Sequence, residues 1–234
     1  MNKKFLFLLF FIFLIIIIGM IFGIITIYRF SILQDISRKI NDNIKKDNYH
    51  MTTTVTSDDG TTNTTEAFYR NNVGKLVASN GIYTWADGEY AYMVDEEKKT
   101  VYLLNINNEN IGLVSYSMFA SVVPGYNNTI IERLFLAGNL NNKIKKSKLN
   151  DKDCFMIKII DEKYNKTVWI DMVNAIPIKA EIEFDNGSKI SYDYIIKFNE
   201  TRLKDIELPS IDDYTLIDAE NEEIIKDSSF NIEN

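Results

Sequence analysis

The sequence predicts a mainly β domain with a few helices, of the α+β class, preceded by one transmembrane helix. Two observations lead to this fold class. An uncharged apolar run lies at the amino terminus, and short segments with alternating apolar and polar residues come after it, separated by turn residues. We expect three parts in the 234-residue chain: an anchor over 1–30, the β domain over 31–218 and a polar acidic tail over 219–234.

The anchor is the run Phe5 to Tyr28, which contains 24 residues without a charge. As a helix it would be about 36 Å long, enough to cross a hydrocarbon core of about 30 Å. A cleavable signal peptide is the alternative, but its apolar region is normally only about 7–15 residues long and no A-x-A-like site follows this run. We therefore expect an uncleaved single-pass membrane anchor.

The charges around the run give conflicting indications of orientation. Lys3 and Lys4 favour a cytoplasmic amino terminus, whereas a plain count of the cations after Tyr28 favours the opposite arrangement. An apolar segment that begins directly after two lysines normally inserts like a signal sequence and exports the rest of the chain. We therefore expect a cell-membrane protein whose large carboxyl-terminal domain is extracytoplasmic.

After the anchor, residues 31–46 are predicted to form an amphipathic helix with Ser31 as its cap. The period then changes to two, with turn signals such as Asn80-Gly81 and Asp87-Gly88 between the runs. Two short helices are predicted at 115–122 and 128–138, the second capped by Asn127 or Asn128, with one apolar face formed by Ile130, Ile131, Leu134, Phe135 and Ala137. The predicted strands are 50–56, 65–71, 73–79, 82–86, 89–94, 99–104, 143–149, 154–160, 166–172, 177–185 and 189–199.

Composition excludes some functions. The formal net charge is -7 and no basic face is visible, which argues against nucleic-acid binding. The single cysteine, Cys154, lies in an apolar strand, and the single histidine, His50, has no metal-ligand neighbour at a suitable spacing. No nucleophile motif or phosphate-binding glycine loop is present. We expect no enzyme activity, no metal and no cofactor, with an envelope hydrolase as the least favoured alternative.

Aromatic and apolar side chains recur at alternate positions of several predicted strands. They line either an ordinary core or a partly open apolar interior that accepts an acyl chain or a partner's apolar segment. The candidate lining residues are Trp85, Tyr90, Tyr92, Tyr102, Ile190, Tyr192, Tyr194, Ile196 and Phe198.

The stretch Asp87 to Val94 resembles the D-G-x-x-x-aromatic hairpin of the outer-membrane lipoprotein carriers, the LolA/LolB-like superfamily. The order of elements is also similar: a leading helix, a strand at Tyr49-His50-Met51 and a closing segment, Asp205 to Pro209, like the family's Pro-containing carboxyl terminus. The resemblance covers about residues 31–218.

The resemblance implies an incomplete, strongly curved antiparallel barrel of about eleven strands, lidded by short helices and lined by hydrophobic side chains that hold lipoprotein acyl chains. In the carriers an arginine contacts the lid from inside the barrel, and Arg70 stands at about that place. A tethered protein cannot ferry cargo across a compartment, so membrane-fixed or sensing relatives are better models than a soluble shuttle.

Two hypotheses result. The first is a non-enzymatic, membrane-anchored extracytoplasmic binding module for a lipid, a lipoprotein acyl chain or another apolar ligand. The second is an envelope protein-interaction or regulatory module on the same fold with a closed core. The membrane is a partner in both, joined by a lipid or lipoprotein in the first and by an envelope protein in the second. A lined hollow of several hundred Å³ would favour the first hypothesis.

Overall fold

The computed structural model describes residues 3–79, 81–87, 90–105, 120–208, 210–219 and 223–224. Helix α1 spans Lys3–Ile44 and contains 42 residues. Within the described chain it is the one helix long and apolar enough to cross a membrane. Large apolar side chains between Phe7 and Tyr28 are mostly exposed, so the other described residues do not cover this part of α1.

The predicted break between the anchor and a second helix at Ser31 is wrong. The helix continues through this position, and the Ser31 hydroxyl donates a hydrogen bond to the Tyr28 carbonyl at 2.7 Å instead of capping a new helix. No proline or glycine lies between Tyr28 and Ile44 to end the helix. The predicted anchor and amphipathic helix are therefore one continuous rod.

In the described residues, thirteen strands form one sheet. Their order across the sheet is β13-β12-β6-β5-β4-β3-β2-β1-β11-β10-β9-β8-β7. Numbered in chain order, β1 to β13 are Asn48–Ser57, Thr62–Arg70, Val73–Ala78, Ile82–Ala86, Tyr90–Asp95, Thr100–Asn105, Lys143–Leu149, Lys152–Ile160, Tyr164–Asp171, Pro177–Phe184, Lys189–Phe198, Thr215–Asp218 and Glu223–Ile224.

The sheet is curved and open, because β7 and β13 are the two edges of its described strands and do not pair with each other. The prediction of an incomplete antiparallel barrel is confirmed, and all eleven predicted strands are present as β1 to β11. The structure differs from the prediction at one edge of the sheet, where β12 pairs with β6 in parallel. A strand that returns from a distant part of the chain needs no hairpin, and for this reason the pairing has no local sequence signal.

The turn residues explain the hairpins. Asn71 and Asn72 both have positive φ, at 51° and 66°, which matches the right-handed twist of the strands they join. Gly187 has φ 83° in the turn between β10 and β11. Asparagine and glycine tolerate these conformations better than other residues.

The main core lies between α1 and one face of the sheet. Ile32, Leu33, Ile36 and Ile40 of α1 are buried against residues of β1, β2 and β7 to β10. Leu33, Ile36 and Ile40 are spaced at three and four residues, and Ile32 lies four residues before Ile36, so the four side chains form one stripe of the helix. The α1 residues predicted to form an amphipathic helix thus help to cover this face of the sheet.

A second helix, α2, spans Ile130–Gly138, which confirms the helix predicted at 128–138. Its cap is Thr129, not Asn127 or Asn128: the Thr129 hydroxyl accepts from the Glu132 amide at 3.3 Å, and the Glu132 carboxylate accepts from the Thr129 amide at 2.7 Å. The other predicted helix, 115–122, lies mostly outside the described residues.

Candidate binding surfaces of the sheet

The register of the strands assigns each side chain to one of two faces. Residues directly opposite one another in neighbouring strands share a face, and successive residues of a strand alternate. We call the face covered by α1 the helix face and the opposite one the outer face. One row on the helix face crosses four neighbouring strands: Ile196 of β11, Met51 of β1, Ala67 of β2 and Leu76 of β3.

The structure divides the nine predicted lining residues between the two faces. The five from β11 lie on the helix face, where Tyr192, Tyr194, Ile196 and Phe198 are half-buried against the main core. Tyr102 also lies on this face, opposite Met93. The remaining three, Trp85, Tyr90 and Tyr92, lie on the outer face. The fold therefore does not bring the nine residues together in one cavity.

The outer-face aromatic residues form a separate cluster. Trp85 and Tyr92 are buried with their ring centroids 5.3 Å apart, next to Val94 and Val101. We call residues 201–208 and 210–218 the strap, because this segment packs on the outer face against the cluster and ends in β12, which pairs with β6. Contacts from the strap come from Leu208, Ile211, Tyr214 and Leu216.

Hydrogen bonds fix the strap to β1, β2 and β4. The Trp85 indole donates from Nε1 to the Ile206 carbonyl at 2.5 Å. The Asn48 side chain donates to the Thr201 carbonyl and accepts from its amide, both at 3.0 Å. Arg70, expected at the lid, donates to the same Thr201 carbonyl at 3.3 Å. The structure thus places Arg70 against the strap rather than against a helix.

On the helix face, the β11 residues form an aromatic strip. The rings of Tyr192 and Tyr194 are stacked, with centroids 6.3 Å apart and planes 9° from parallel. Burial raises the pKa of Tyr194 strongly, because a phenolate would be poorly solvated there. The Lys46 ammonium lies 3.7 Å from the Phe198 ring centroid, so the strip ends beneath the region that follows α1.

Sequence reasoning missed a lysine on the same face. Lys166 of β9 lies opposite Ile182, which lies opposite Ile190, so the three side chains form a row across the helix face. Two strand spacings, about 10 Å, separate Lys166 from the predicted residue Ile190. The signal was present in the sequence, because Lys166 occupies the inward position two residues before Val168.

Lys166 lines a cavity of about 200 Å³ between the sheet and the α2 region. Burial lowers the pKa of its ammonium group. Within the described parts of the chain, no ion pair or hydrogen bond engages this ammonium. Its neighbours are partly apolar, and an anionic group entering the cavity would compensate the poorly solvated charge. The other lining residues are Pro124, Gly125, Asn128, Leu136, Ile159 and Tyr164.

A larger depression of about 370 Å³ lies on the sheet around β8 to β11 and has a polar lining. Two surface ion pairs cross it, Lys179 with Glu181 at 2.8 Å and Lys189 with Glu183 at 3.2 Å. These ion-paired side chains make its lining mainly polar, although Ile182 and Ile190 also line it.

His50 and Cys154 have residue types that are often used in catalysis, but both pack against other residues of the fold. The His50 imidazole stacks on the Phe68 ring, with centroids 4.4 Å apart and planes 6° from parallel. Cys154 is buried in β8, and burial raises the pKa of its thiol. Among the described residues, no group of three or more His, Cys, Asp and Glu side chains could hold a metal ion.

Comparisons with known proteins concern the fold. No protein-family model and no curated protein sequence matches this chain. Of the solved structures, an uncharacterized conserved protein from Thermus thermophilus is similar over 79% of this chain and 98% of its own, with 8% identity and a TM-score of 0.49.

MucB, in the Pseudomonas aeruginosa MucA/MucB complex, is similar over 76% of this chain and 62% of its own, with 11% identity and a TM-score of 0.45. A LolA superfamily protein from Nitrosomonas europaea is similar over 75% of this chain and 97% of its own, with 12% identity and a TM-score of 0.33. The LolA superfamily, which the sequence resembles, is thus represented among the similar solved structures. At these identities and TM-scores, nothing about function follows from the comparison.

Proposed function

We propose that this chain is a non-enzymatic, membrane-anchored binding module, held outside the cytoplasm, that accepts an apolar ligand carrying an anionic group on its helix face. The observation that carries the proposal is the Lys166 cavity. It combines partly apolar walls with a poorly solvated cation for which the described residues show no ion pair or hydrogen bond. Lys166 lies in the same row as Ile190, two strands away from the aromatic strip. A fatty acid, or a lipid or lipoprotein with an anionic headgroup, has this combination of chemistry.

The size of the cavity limits what it encloses. Pockets that enclose a whole small molecule usually measure about 300–1,000 Å³, and this one measures about 200 Å³. We therefore propose that the cavity holds the anionic end of the ligand, with the apolar part extending along the helix face.

A protein-interaction or regulatory module is the second candidate, and the packing of the helix face supports it. Ile36 and Ile40 of α1 are almost fully buried there, and the aromatic strip packs against the same core. If the ligand is a segment of an envelope protein, no lipid should accompany the purified chain. Native mass spectrometry of the full-length chain extracted in detergent separates the two candidates by the presence or absence of a bound lipid.

Lys166→Met is expected to reduce binding of a fatty acid about tenfold or more, because one charge-assisted hydrogen bond contributes about 1.5–3 kcal/mol. Folding should become slightly more stable at neutral pH, since the variant no longer buries a charge for which the described residues show no partner. Native mass spectrometry with a fatty acid and the matching fatty alcohol measures the effect. The exposed Lys163→Met is the control. Equal loss for acid and alcohol would contradict a role for the charge.

The pH dependence follows from the lowered pKa of Lys166. Below that pKa the folded chain carries the full cost of the buried ammonium. As the pH rises through the lowered pKa, the folded chain releases the proton and this cost disappears. The unfolded chain still binds the proton up to the ordinary pKa of 10.5. Thermal melts of the parent should therefore gain stability over this alkaline range relative to Lys166→Met.

Tyr194→Asp is expected to abolish ligand binding, because an unpaired carboxylate in the aromatic strip is strongly disfavoured. Asp193→Lys, on an exposed side chain of the same strand, should be nearly silent. Since a buried charge can also unfold the domain, Tyr194→Leu is compared by thermal melting and fluorescent fatty-acid binding together. A large loss of stability, with no saturable probe binding in the parent, would mean that the strip is packed core.

The proposed location has its own test. A reporter enzyme fused after Asn234 should be active only on the exported side of the membrane, and protease added to intact spheroplasts should remove the chain beyond about residue 30. The physical reason is that the apolar part of α1, once inserted, separates the two ends of the chain by the hydrocarbon core. A cytoplasmic carboxyl terminus would overturn both candidate functions.

A further inference from the structure

Helix α2 exposes a continuous apolar stripe. Ile130, Ile131, Leu134 and Phe135 fall at i, i+1, i+4 and i+5, which is one face of a helix. Ile131 is 66% exposed and Phe135 75%. The stripe carries no charged side chain. Ala137, predicted to share this face, is fully buried near the carboxyl end of the helix.

The opposite face of α2 is fixed to α1. Arg133 donates to the Ser37 hydroxyl at 2.7 Å, and Arg29 donates to the Ala137 and Asn139 carbonyls at 3.3 and 3.2 Å. The second contact places a cation of α1 on the carboxyl-terminal carbonyls of α2, where the helix dipole favours it. The direction of the apolar stripe is therefore set by α1.

The carboxyl end of α2 lies beside the apolar run of α1. A Cβ placed on Gly138 would lie 3.7 Å from Thr26 Cγ2 and 4.0 Å from the Phe22 ring. Both residues belong to the run from Phe5 to Tyr28, whose length of about 36 Å exceeds a hydrocarbon core of about 30 Å by about one helical turn. Phe22 and Thr26 thus lie near the boundary between acyl chains and headgroups, at the end closer to the folded domain.

We infer that α2 lies in the membrane interface, with its stripe of Ile130, Ile131, Leu134 and Phe135 in the lipid. The inference rests on the proposed membrane anchor and adds a second lipid contact. The occupant is the bilayer, because the stripe is continuous with the exposed apolar surface of α1, and a short amphipathic helix gains stability by burying its apolar face at this depth. Leu136 of the same helix lines the Lys166 cavity, which would then lie at the membrane surface.

Site-directed spin labelling of the full-length chain, in lipid nanodiscs large enough to hold two copies, tests the inference. In a Cys154→Ala background, single cysteines replace Phe135, Ile18 of the anchor, and Ile195, which is 60% exposed on the outer face of the sheet. All three positions are exposed, so the labels should leave the fold intact, as circular dichroism would verify. The ratio of oxygen to nickel-chelate accessibility reports the depth of each label.

The Phe135 label should show a ratio several-fold higher than the Ile195 label and closer to that of Ile18. If Phe135 resembles Ile195 while Ile18 lies in lipid, the inference fails and the anchor stands. If Ile18 also contacts water, the anchor and the inference fail together. Dipolar broadening of the Phe135 spectrum would identify a second copy of this chain as the occupant of the stripe and would likewise overturn the proposal.

Discussion

Replacing Ile36 by aspartate is expected to detach α1 from the sheet and unfold the domain, with a loss of at least about 4 kcal/mol. Ile36 is 1% exposed within the main core, where a carboxylate would lose its hydration. Thermal melting of the full-length chain, followed by circular dichroism of the β signal, measures the effect.

Arg38→Ala is the matched control on the same helix. The Arg38 side chain is exposed and forms a surface ion pair with Asp35 at 2.8 Å, an interaction that contributes about 0.2–1 kcal/mol. If both variants melt like the parent, the packing of α1 on the sheet is not the source of stability. The expected contrast would show that residues 30–44 belong to the domain core, so a soluble version of the domain has to retain them.

Trp85→Ala is expected to cost about 3–5 kcal/mol, the usual range for deleting a large buried aromatic side chain. The change leaves a cavity beneath the strap and removes the hydrogen bond to the Ile206 carbonyl. Chemical denaturation of the full-length chain would show a lower midpoint.

Trp85→Phe separates the two contributions, because it keeps most of the packing and loses only the hydrogen bond, at about 1–3 kcal/mol. Leu203→Ala, at an exposed position of the strap, should have little effect. Since Trp85 lies on the outer face, Trp85→Phe should also retain ligand binding. Loss of binding in a well-folded Trp85→Phe variant would contradict the assignment of this cluster to structure.

The aromatic residues of the two faces are expected to have different roles. Trp85, Tyr90 and Tyr92 belong to the outer cluster and stabilise the fold through the strap. Tyr192 and Tyr194 lie on the helix face with Lys166, where the proposed ligand binds. Mutagenesis of the aromatic residues as one set would therefore mix effects on folding with effects on binding.

Local periodicity accounts for the features that the sequence determined. The length of the apolar run, the positions of all eleven antiparallel strands and the hairpin turns depend on neighbouring residues, and each was predictable. The continuity of α1 was missed because Ser31 has a residue type that often caps helices. Here its hydroxyl bonds within the helix, and helical packing on the sheet overrides the local preference.

Only the tertiary structure decided which face each strand presents to α1. Alternation places Tyr92 and Tyr194 at one side of their own strands, but a shift of register by one residue would move either to the opposite face. The register depends on pairings between distant residues, such as Tyr49 with Phe198, and on the parallel addition of β12 to β6. The surroundings of Lys166, the covering of Trp85 by the strap and the outward direction of the α2 stripe all result from these long-range contacts, which no local pattern encodes.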